Sequence, residues 1–388
     1  MTTPHLFPFV RHAYRTPLTI DSAEGCRIRS TDGKEYIDAY AGVASVSVGH
    51  CNPRVTARVR EQAGRVHHTT MLYRTELLTS YLQQLQDVLP DRLCRHFFVN
   101  SGSEAVDFAC QTARAHRRKP VILAMSEGFH GGSFLTKSLT GLDAWRPAFG
   151  GIDDVLFHPV SSCRNCPDSG CSAGCRHLEP LSVDCAARCL DELEDTLRIH
   201  GDRIAAVLVE PVLGVGGILT PPRPFFRRLR TLCDAFEADL IADEVQTGFG
   251  RCGTTLFASD LLDLQPDLVC MAKGIANGYP LGLVSATEDA ADALKEFLHF
   301  STFGGNPVSL AAADETLRII VEEQLPGHVA RIGARLLEGL VSSLSETPSV
   351  QEIRGIGLMI GIELADTLPA ATVMERCYER GLLVGIGG

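Results

Sequence analysis

Lys273 closes the run Asp267-Leu-Val-Cys-Met-Ala-Lys273 and is followed by Gly274-Ile-Ala-Asn-Gly278. Asp243 closes the run Ala238-Asp-Leu-Ile-Ala-Asp243 and is followed by Glu244-Val-Gln246-Thr-Gly248-Phe-Gly250-Arg251. Each polar residue stands where a short apolar run gives way to glycines. A buried parallel strand delivers a reactive side chain to the mouth of an α/β sheet in this way, and ligands bind there. An amine and an acid so placed suit pyridoxal 5′-phosphate. The amine holds the cofactor aldehyde as a Schiff base, and the anion keeps the ring nitrogen protonated so that the ring can absorb electrons. Singly, Asp243 also reads as a turn acid and Lys273 as a surface lysine. Their company favours chemistry, because a lysine ending a buried strand is costly without a role or a partner.

Those two groups need strands to carry them and helices to cover the strands. His96-Phe-Phe-Val-Asn100 reads as a strand, Glu104 to His116 as a helix, and Pro120-Val-Ile-Leu-Ala-Met125 as the next strand. Ile204-Ala-Ala-Val-Leu-Val-Glu210 and the run ending at Asp243 follow, with helical stretches between them. Such alternation predicts βαβ units and a mainly parallel sheet. The stretch to Gly49 carries turn signals, Thr31-Asp-Gly-Lys34, between short apolar segments, as in a small antiparallel unit. Beyond Pro307 the pattern predicts a helix through about Glu323, another from Gly327 to about Ser345, and a strand at Gly357-Leu-Met-Ile-Gly-Ile-Glu363. The expected division is an N-terminal segment over 1–49, a large domain over 50–300 and a smaller α+β domain over 301–388 that the N-terminal segment joins.

Two loops stand beside the predicted strands. Asn100-Ser-Gly-Ser-Glu-Ala105 lies between a strand and a helix, so Ser101, Gly102 and Ser103 present helix N-terminal amides and a positive dipole end that suit a phosphate. The same residues also read as a plain serine N-cap. Glu127-Gly-Phe129-His130-Gly follows the next strand, where an aromatic ring stacks on a planar cofactor or simply fills the core beside a turn.

The chain has 388 residues, 45% hydrophobic and 21% charged, which places it among globular proteins with room for two domains. A net charge of −11 leaves no basic surplus to displace counterions, so no nucleic-acid partner is expected. No apolar run is long enough for a membrane span, and Met1-Thr-Thr-Pro-His-Leu-Phe-Pro-Phe-Val lacks the pattern of a secretory signal, so the cytoplasm is the default. Of 14 cysteines, six fall between Cys163 and Cys189, within an insert over 161–190. The spacing Cys163-x2-Cys166-x4-Cys171-x3-Cys175, with Cys185 and Cys189 beyond, suggests metal thiolates more than disulfides in a reduced compartment. It is not a standard zinc ribbon, and free thiols on a surface loop are the alternative.

The ordered motifs resemble those of the class III pyridoxal-phosphate aminotransferases, the group of the ornithine, acetylornithine, 4-aminobutyrate and alanine–glyoxylate enzymes. The likeness runs from about Pro17 to the last residue. It is carried by Asp32-Gly33 with Tyr36-Ile-Asp38, Gly49-His50 with Asn52-Pro53, Ser101-Gly-Ser-Glu-Ala105, Phe129-His-Gly131 and Glu210-Pro-Val212. Asp243-Glu-Val-Gln-Thr-Gly248, Lys273-Gly274, Ser301-Thr-Phe-Gly-Gly-Asn-Pro307 and Arg354-Gly-Ile-Gly-Leu358 complete it. The resemblance implies an α/β fold type I transferase: a large domain with a mainly parallel seven-stranded sheet, plus a smaller α+β domain. Lys273 would form the Schiff base and move the proton. Asp243 would pair with the ring nitrogen and Gln246 with the ring hydroxyl. Gly102 and Ser103, beside Ser101, would hold the phosphate with Thr302 from the other subunit of a homodimer. Phe129 would stack on the ring with His130 nearby. Arg354 would bind a substrate carboxylate, and Glu210 would gate it by pairing with Arg354 while an ω-amino donor is bound.

The implied reaction moves an amino group from an amino acid, an ω-amino donor, to a 2-oxo acid. Other chemistry on the same fold is the first alternative, as an amine phospho-lyase, aminomutase or decarboxylase. A non-catalytic relative with a metal-binding cysteine cluster is the second. Members of this family usually continue some tens of residues further, so the small domain is expected to be C-terminally incomplete at Gly388. In the 4-aminobutyrate branch a Cys-x-x-Cys-Pro element holds an iron–sulfur cluster at the dimer interface, and Cys163-Arg-Asn-Cys166-Pro167 matches it. An iron–sulfur cluster or zinc is the corresponding expectation here.

Overall fold

The computed structural model describes residues 7, 10, 13–160 and 183–387. The chain opens with a meander of β1 (Ile20–Glu24), β2 (Arg27–Ser30) and β3 (Glu35–Asp38). β2 and β3 alternate exposed and buried residues, which turns Ile28, Ser30, Tyr36 and Asp38 inward. Gly33, with φ 86°, makes the tight turn between them.

Seven further strands form the main sheet: β4 (Arg95–Val99), β5 (Val121–Met125), β6 (Val155–His158), β7 (Ile204–Val209), β8 (Asp239–Asp243), β9 (Leu268–Met271) and β10 (Gly282–Ala286). Their order is β4-β10-β9-β8-β7-β5-β6. Only β10 runs antiparallel to its neighbours. Every residue of β5, β7, β8, β9 and β10 is buried, because helices cover both faces. That is why β5, β7 and β9 read as unbroken apolar runs. The exception at the start of β8, Asp239, is fully buried and is paired with Arg117 Nε at 2.7 Å, with His116 Nδ1 also within hydrogen-bond reach at 3.0 Å.

One core lies on each face. The helix Gly102–Arg117 buries Ala105, Val106, Ala109, Cys110 and Ala113 on the first. The helix Pro307–Glu322 enters the second with Leu310, Leu317 and Ile320, beside Tyr81, Phe98 and Met271. The domain boundary expected at residue 301 is therefore not a break in packing: this helix shares the core of the large sheet. After the helix Leu325–Leu344 come the hairpin β11 (Val350–Ile356) and β12 (Met359–Leu364), the helix Ala370–Glu379, and β13 (Leu382–Leu383). β13 pairs in parallel with β3 and completes a four-stranded sheet. Both ends of the described chain thus build one small sheet.

Among the described residues no helix is long and apolar enough to cross a membrane. Cys163, Cys166, Cys171 and Cys175 lie outside the described residues. Among those described, no group of His, Cys, Asp or Glu could hold a metal ion.

Candidate active site

Five parallel strands end around one cavity of about 320 Å³. Asn100–Ser103 enter it beyond β4, Phe129–Gly131 beyond β5, Glu210 beyond β7, Asp243 at the end of β8, and Lys273 just beyond β9. The carboxyl ends of the strands thus converge as ligand sites in open α/β sheets do.

Lys273 leaves β9 with φ 45° and starts a single 3₁₀ turn, Lys273–Ala276. A left-handed lysine is an uncommon backbone state and clusters at functional sites. Its ammonium has neither a hydrogen bond nor an ion pair among the described residues. Burial lowers its pKa from the ordinary lysine value; Asp243 and Glu210 oppose that shift, and the Arg251 charge adds to it. A buried amine with a depressed pKa is a poised nucleophile and base.

Asp243 is fixed from two sides. Its Oδ2 lies 2.8 Å from His130 Nδ1, and its Oδ1 accepts from Val245 N at 3.1 Å. The His130 ring is wholly buried, and its Nε2 has no partner. With Asp243 accepting, Nδ1 carries the proton. Glu210 is also buried, and its carboxyl accepts from Phe129 N at 2.8 Å and Gly214 N at 3.0 Å. Burial pushes its pKa up to about 7, with the Asp243 charge adding and His130 and the two amides opposing.

The helix Gly102–Arg117 points its N-terminus at the cavity. Ser101 is the N-cap, its Oγ accepting from Glu104 N at 3.2 Å, while Glu104 Oε2 accepts from Asn100 N at 2.9 Å. The first amides of a helix have no acceptor inside it, so those of Gly102 and Ser103 are free for an anion. Space there is tight. A Cβ on Gly102 would stand 2.8 Å from Val245 Cγ1, and a Cβ on Gly131, with φ 135°, would strike the Ser103 hydroxyl. The amine without a partner, the orphaned imidazole nitrogen and the glycine-lined helix terminus fit pyridoxal phosphate. Lys273 would meet its aldehyde, Asp243 its ring nitrogen, and Ser101–Ser103 its phosphate.

Ser45, which sequence reasoning did not mark, also lines the cavity. It leaves a left-handed helical turn in which Ala41, Gly42, Val43 and Ala44 have φ of 51°, 58°, 63° and 58°. The turn closes through Ala44 N to Tyr40 O at 2.9 Å and Ser45 N to Ala41 O at 2.8 Å. Each L-residue held so costs about 1–2 kcal/mol. Glu244 was quoted in a motif but given no role. It is fully buried and accepts from Ser259 N, Ser259 Oγ, Ala258 N and the Thr247 hydroxyl, so it fastens the loop that follows Asp243. A glutamate in an apolar stretch was the available signal.

Other expected residues fall differently. Phe129 and Gln246 line the cavity, with the Phe129 ring edge-on to Trp145 at 5.2 Å. Thr302 is exposed and lies off the cavity of its own chain. Arg354 is not brought to Glu210. Its Nη1 donates to Glu363 Oε2 at 2.6 Å and Glu352 Oε2 at 2.7 Å, and its Nε to Gly217 O at 2.8 Å. Glu352 and Glu363 stand opposite each other on β11 and β12, and Arg354 neutralises both. The gate contact expected between Glu210 and Arg354 is absent because each group is already engaged.

A family model described as aminotransferase class-III matches residues 9–388. The chain is 34% identical over 409 residues to the mitochondrial alanine–glyoxylate aminotransferase 2 of Homo sapiens, covering 99% of this chain and 78% of that one. It is 35% identical to an acetylornithine aminotransferase of Methanothermobacter thermautotrophicus, over 97% of this chain and 88% of that one. Among solved structures, an amine transaminase from an uncultivated Pseudomonas species in its PLP-bound form superposes with a TM-score of 0.90. The two share 28% identity over 100% of this chain and 93% of that one.

Proposed function

The chain belongs to the class III aminotransferase family, a group of pyridoxal-phosphate-dependent transferases with fold type I architecture, and we propose from that premise how its own residues divide the work. Pyridoxal phosphate, when bound, supplies an aldehyde that condenses with amines and a ring that withdraws electrons. Lys273 Nζ takes the proton from the carbon that carries the donor's amino group and returns a proton on the other side of the reaction. Burial lowers its pKa from the ordinary lysine value, which favours the free amine that this step needs. Asp243 holds a positive charge at the ring nitrogen, and His130 Nδ1 holds Asp243 in place. The free amides of Gly102 and Ser103, with the hydroxyls of Ser101 and Ser103 beside them, would receive the phosphate, Gln246 the ring hydroxyl, and Phe129 would lie against the ring. Arg354 acts as a strut of the small hairpin.

We read the donor as an ω-amino compound or simple primary amine, and the acceptor as a 2-oxo acid. One observation carries the donor class. Among the described residues lining the cavity, Glu210 and Asp243 are acids and Lys273 is the lone cation. An ω-amino donor asks for no guanidinium beside its reacting carbon, whereas the carboxylate of the 2-oxo acid acceptor has to be received by a cation outside this lining. Mixing holoenzyme with single donors and following the cofactor absorbance tests this. ω-Amino acids and primary amines should react at least about tenfold faster than α-amino acids, a difference of ~1.4 kcal/mol. Faster reaction of α-amino acids refutes the donor class, and recovery of alkene or decarboxylated products instead of oxo products would refute amino transfer.

We also propose a cytoplasmic homodimer. Leu72, Tyr73, Phe297, Leu298, Phe300 and Phe303 are 60–103% exposed; the last four stand close to Thr302 in sequence, and Leu72 and Tyr73 follow Met71, which packs near Gly305, so they offer an apolar surface that suits a second copy.

A further inference from the structure

Asp38 and His50 have no role in the chemistry above, yet they embrace the strained turn. His50 Nε2 lies 2.7 Å from Asp38 Oδ2. The same carboxylate accepts from Tyr40 N at 3.0 Å and from Gly42 N at 2.9 Å. Asp38 is the last residue of β3 and is 8% exposed, so its position is set by the small sheet. The far end of the segment is fastened too. Asn277, four positions beyond Lys273, accepts from Val48 N at 3.0 Å and donates to Gly49 O at 2.9 Å. Between these anchors the chain winds left-handed from Ala41 to Ala44 and then presents Ser45 to the cavity.

A left-handed run is not a conformation L-residues take unaided. Strained backbone persists where its surroundings over-determine it, and it gathers at sites where pre-organisation matters. The amides that open a helical turn have no acceptor within it, whichever its hand. Here a single carboxylate takes two of them, and an imidazole holds the carboxylate.

We propose that Asp38 and His50 are positioning residues: their contact holds the left-handed turn, and the turn holds the donor side of the cavity wall. The proposal rests on amino transfer occurring in this cavity. It assigns no role to either residue in holding the cofactor.

The test separates those levels. Asp38→Asn, His50→Leu and His50→Gln are compared by cofactor affinity from absorbance titration, by kcat and KM for donor and acceptor, and by amide exchange at Ala44 and Ser45 in the apo-protein. His50→Leu should raise the donor KM about tenfold, speed exchange at both amides, and leave cofactor affinity within about twofold. His50→Gln keeps an N–H donor for Asp38 and should stay near the parent. If Asp38→Asn does not fold, the two His50 variants still decide. Adding Ala41→Gly to His50→Leu should recover part of the KM, because glycine takes positive φ without strain. Unchanged exchange with unchanged KM overturns the proposal. So does a fall in cofactor affinity that matches the change in KM, since that would be general damage. Loss of all amino transfer in the parent protein would instead strike the functional reading beneath it.

Discussion

Burial holds the Glu210 carboxyl up at about 7, so near neutrality it changes charge inside the cavity, close to Asp243 and Lys273. The sign of its effect on stability follows. The folded pKa stands above the ordinary 4.5, so the unfolded chain releases this proton first and ionisation favours unfolding. Stability from this group falls as pH rises from about 4.5 to about 7 and stays low above that. Glu210→Gln removes the penalty and keeps one acceptor for Phe129 N or Gly214 N. Urea unfolding of the apo-protein should find the variant similar to the parent at pH 5 and more stable at pH 8, by on the order of 2 kcal/mol. An equal gap at both pH values would disprove the raised carboxyl. Lys273 and Asp243 were legible in the sequence because each ends an apolar strand, a local pattern. The partners of Glu210 and Arg354 were not legible, because a charge's partner depends on which distant elements meet. Glu363 reaches Arg354 only through the register of β11 with β12.

At the scale of elements, Arg354 is a tie between the β11–β12 hairpin and the loop at Gly217. Removing it leaves Glu352 and Glu363 facing each other across the strands. Arg354→Met should therefore lose about 1–2 kcal/mol of stability without changing the preference between ω- and α-amino donors. Its effect should add to that of Glu210→Ala, since the two residues share no contact. Kinetics of both half-reactions in the two variants and their combination check this, and coupling between them would restore the gate. The strands β5, β7 and β8 were readable from composition, because burial on both faces demands continuous apolar residues. β10 was not marked, although its Gly-Leu-Val-Ser-Ala is fully buried, because the Gly278-Tyr-Pro280 turn just before it, its own leading glycine and a serine mask it. The left-handed turn was beyond reach. Ala41-Gly-Val-Ala44 carries one residue suited to positive φ, and its conformation comes from Asp38 and the sheet behind it.

For the whole molecule, the question is whether the cavity belongs to one chain. Thr302 lies off its own cavity and beside the exposed Phe300 and Phe303, so the proposed dimer has a direct test. Lys273→Ala and Thr302→Ala proteins should each be weak alone. If Thr302 serves the neighbour's site, a hybrid of the two carries one site with both residues intact and should regain about half the parent activity. No gain on mixing, with hybrids confirmed by mass, would confine Thr302 to its own chain. The small sheet carries a further consequence, for the order of assembly. Lys34 Nζ donates to Glu379 O, 345 residues away, and β3 pairs with β13 just beyond. Contacts between such distant segments close late, after the loops they span have become compact. On a ribosome the strands β1–β3 wait for nearly the whole described chain to emerge before their sheet is complete. The wall carrying Ser45 is tied to that sheet through Asp38, so on the proposed reading the donor side of the cavity is set after Lys273 and the helix terminus at Gly102 are in place. A nascent chain of this enzyme would be ready for its cofactor before it is ready for its substrate.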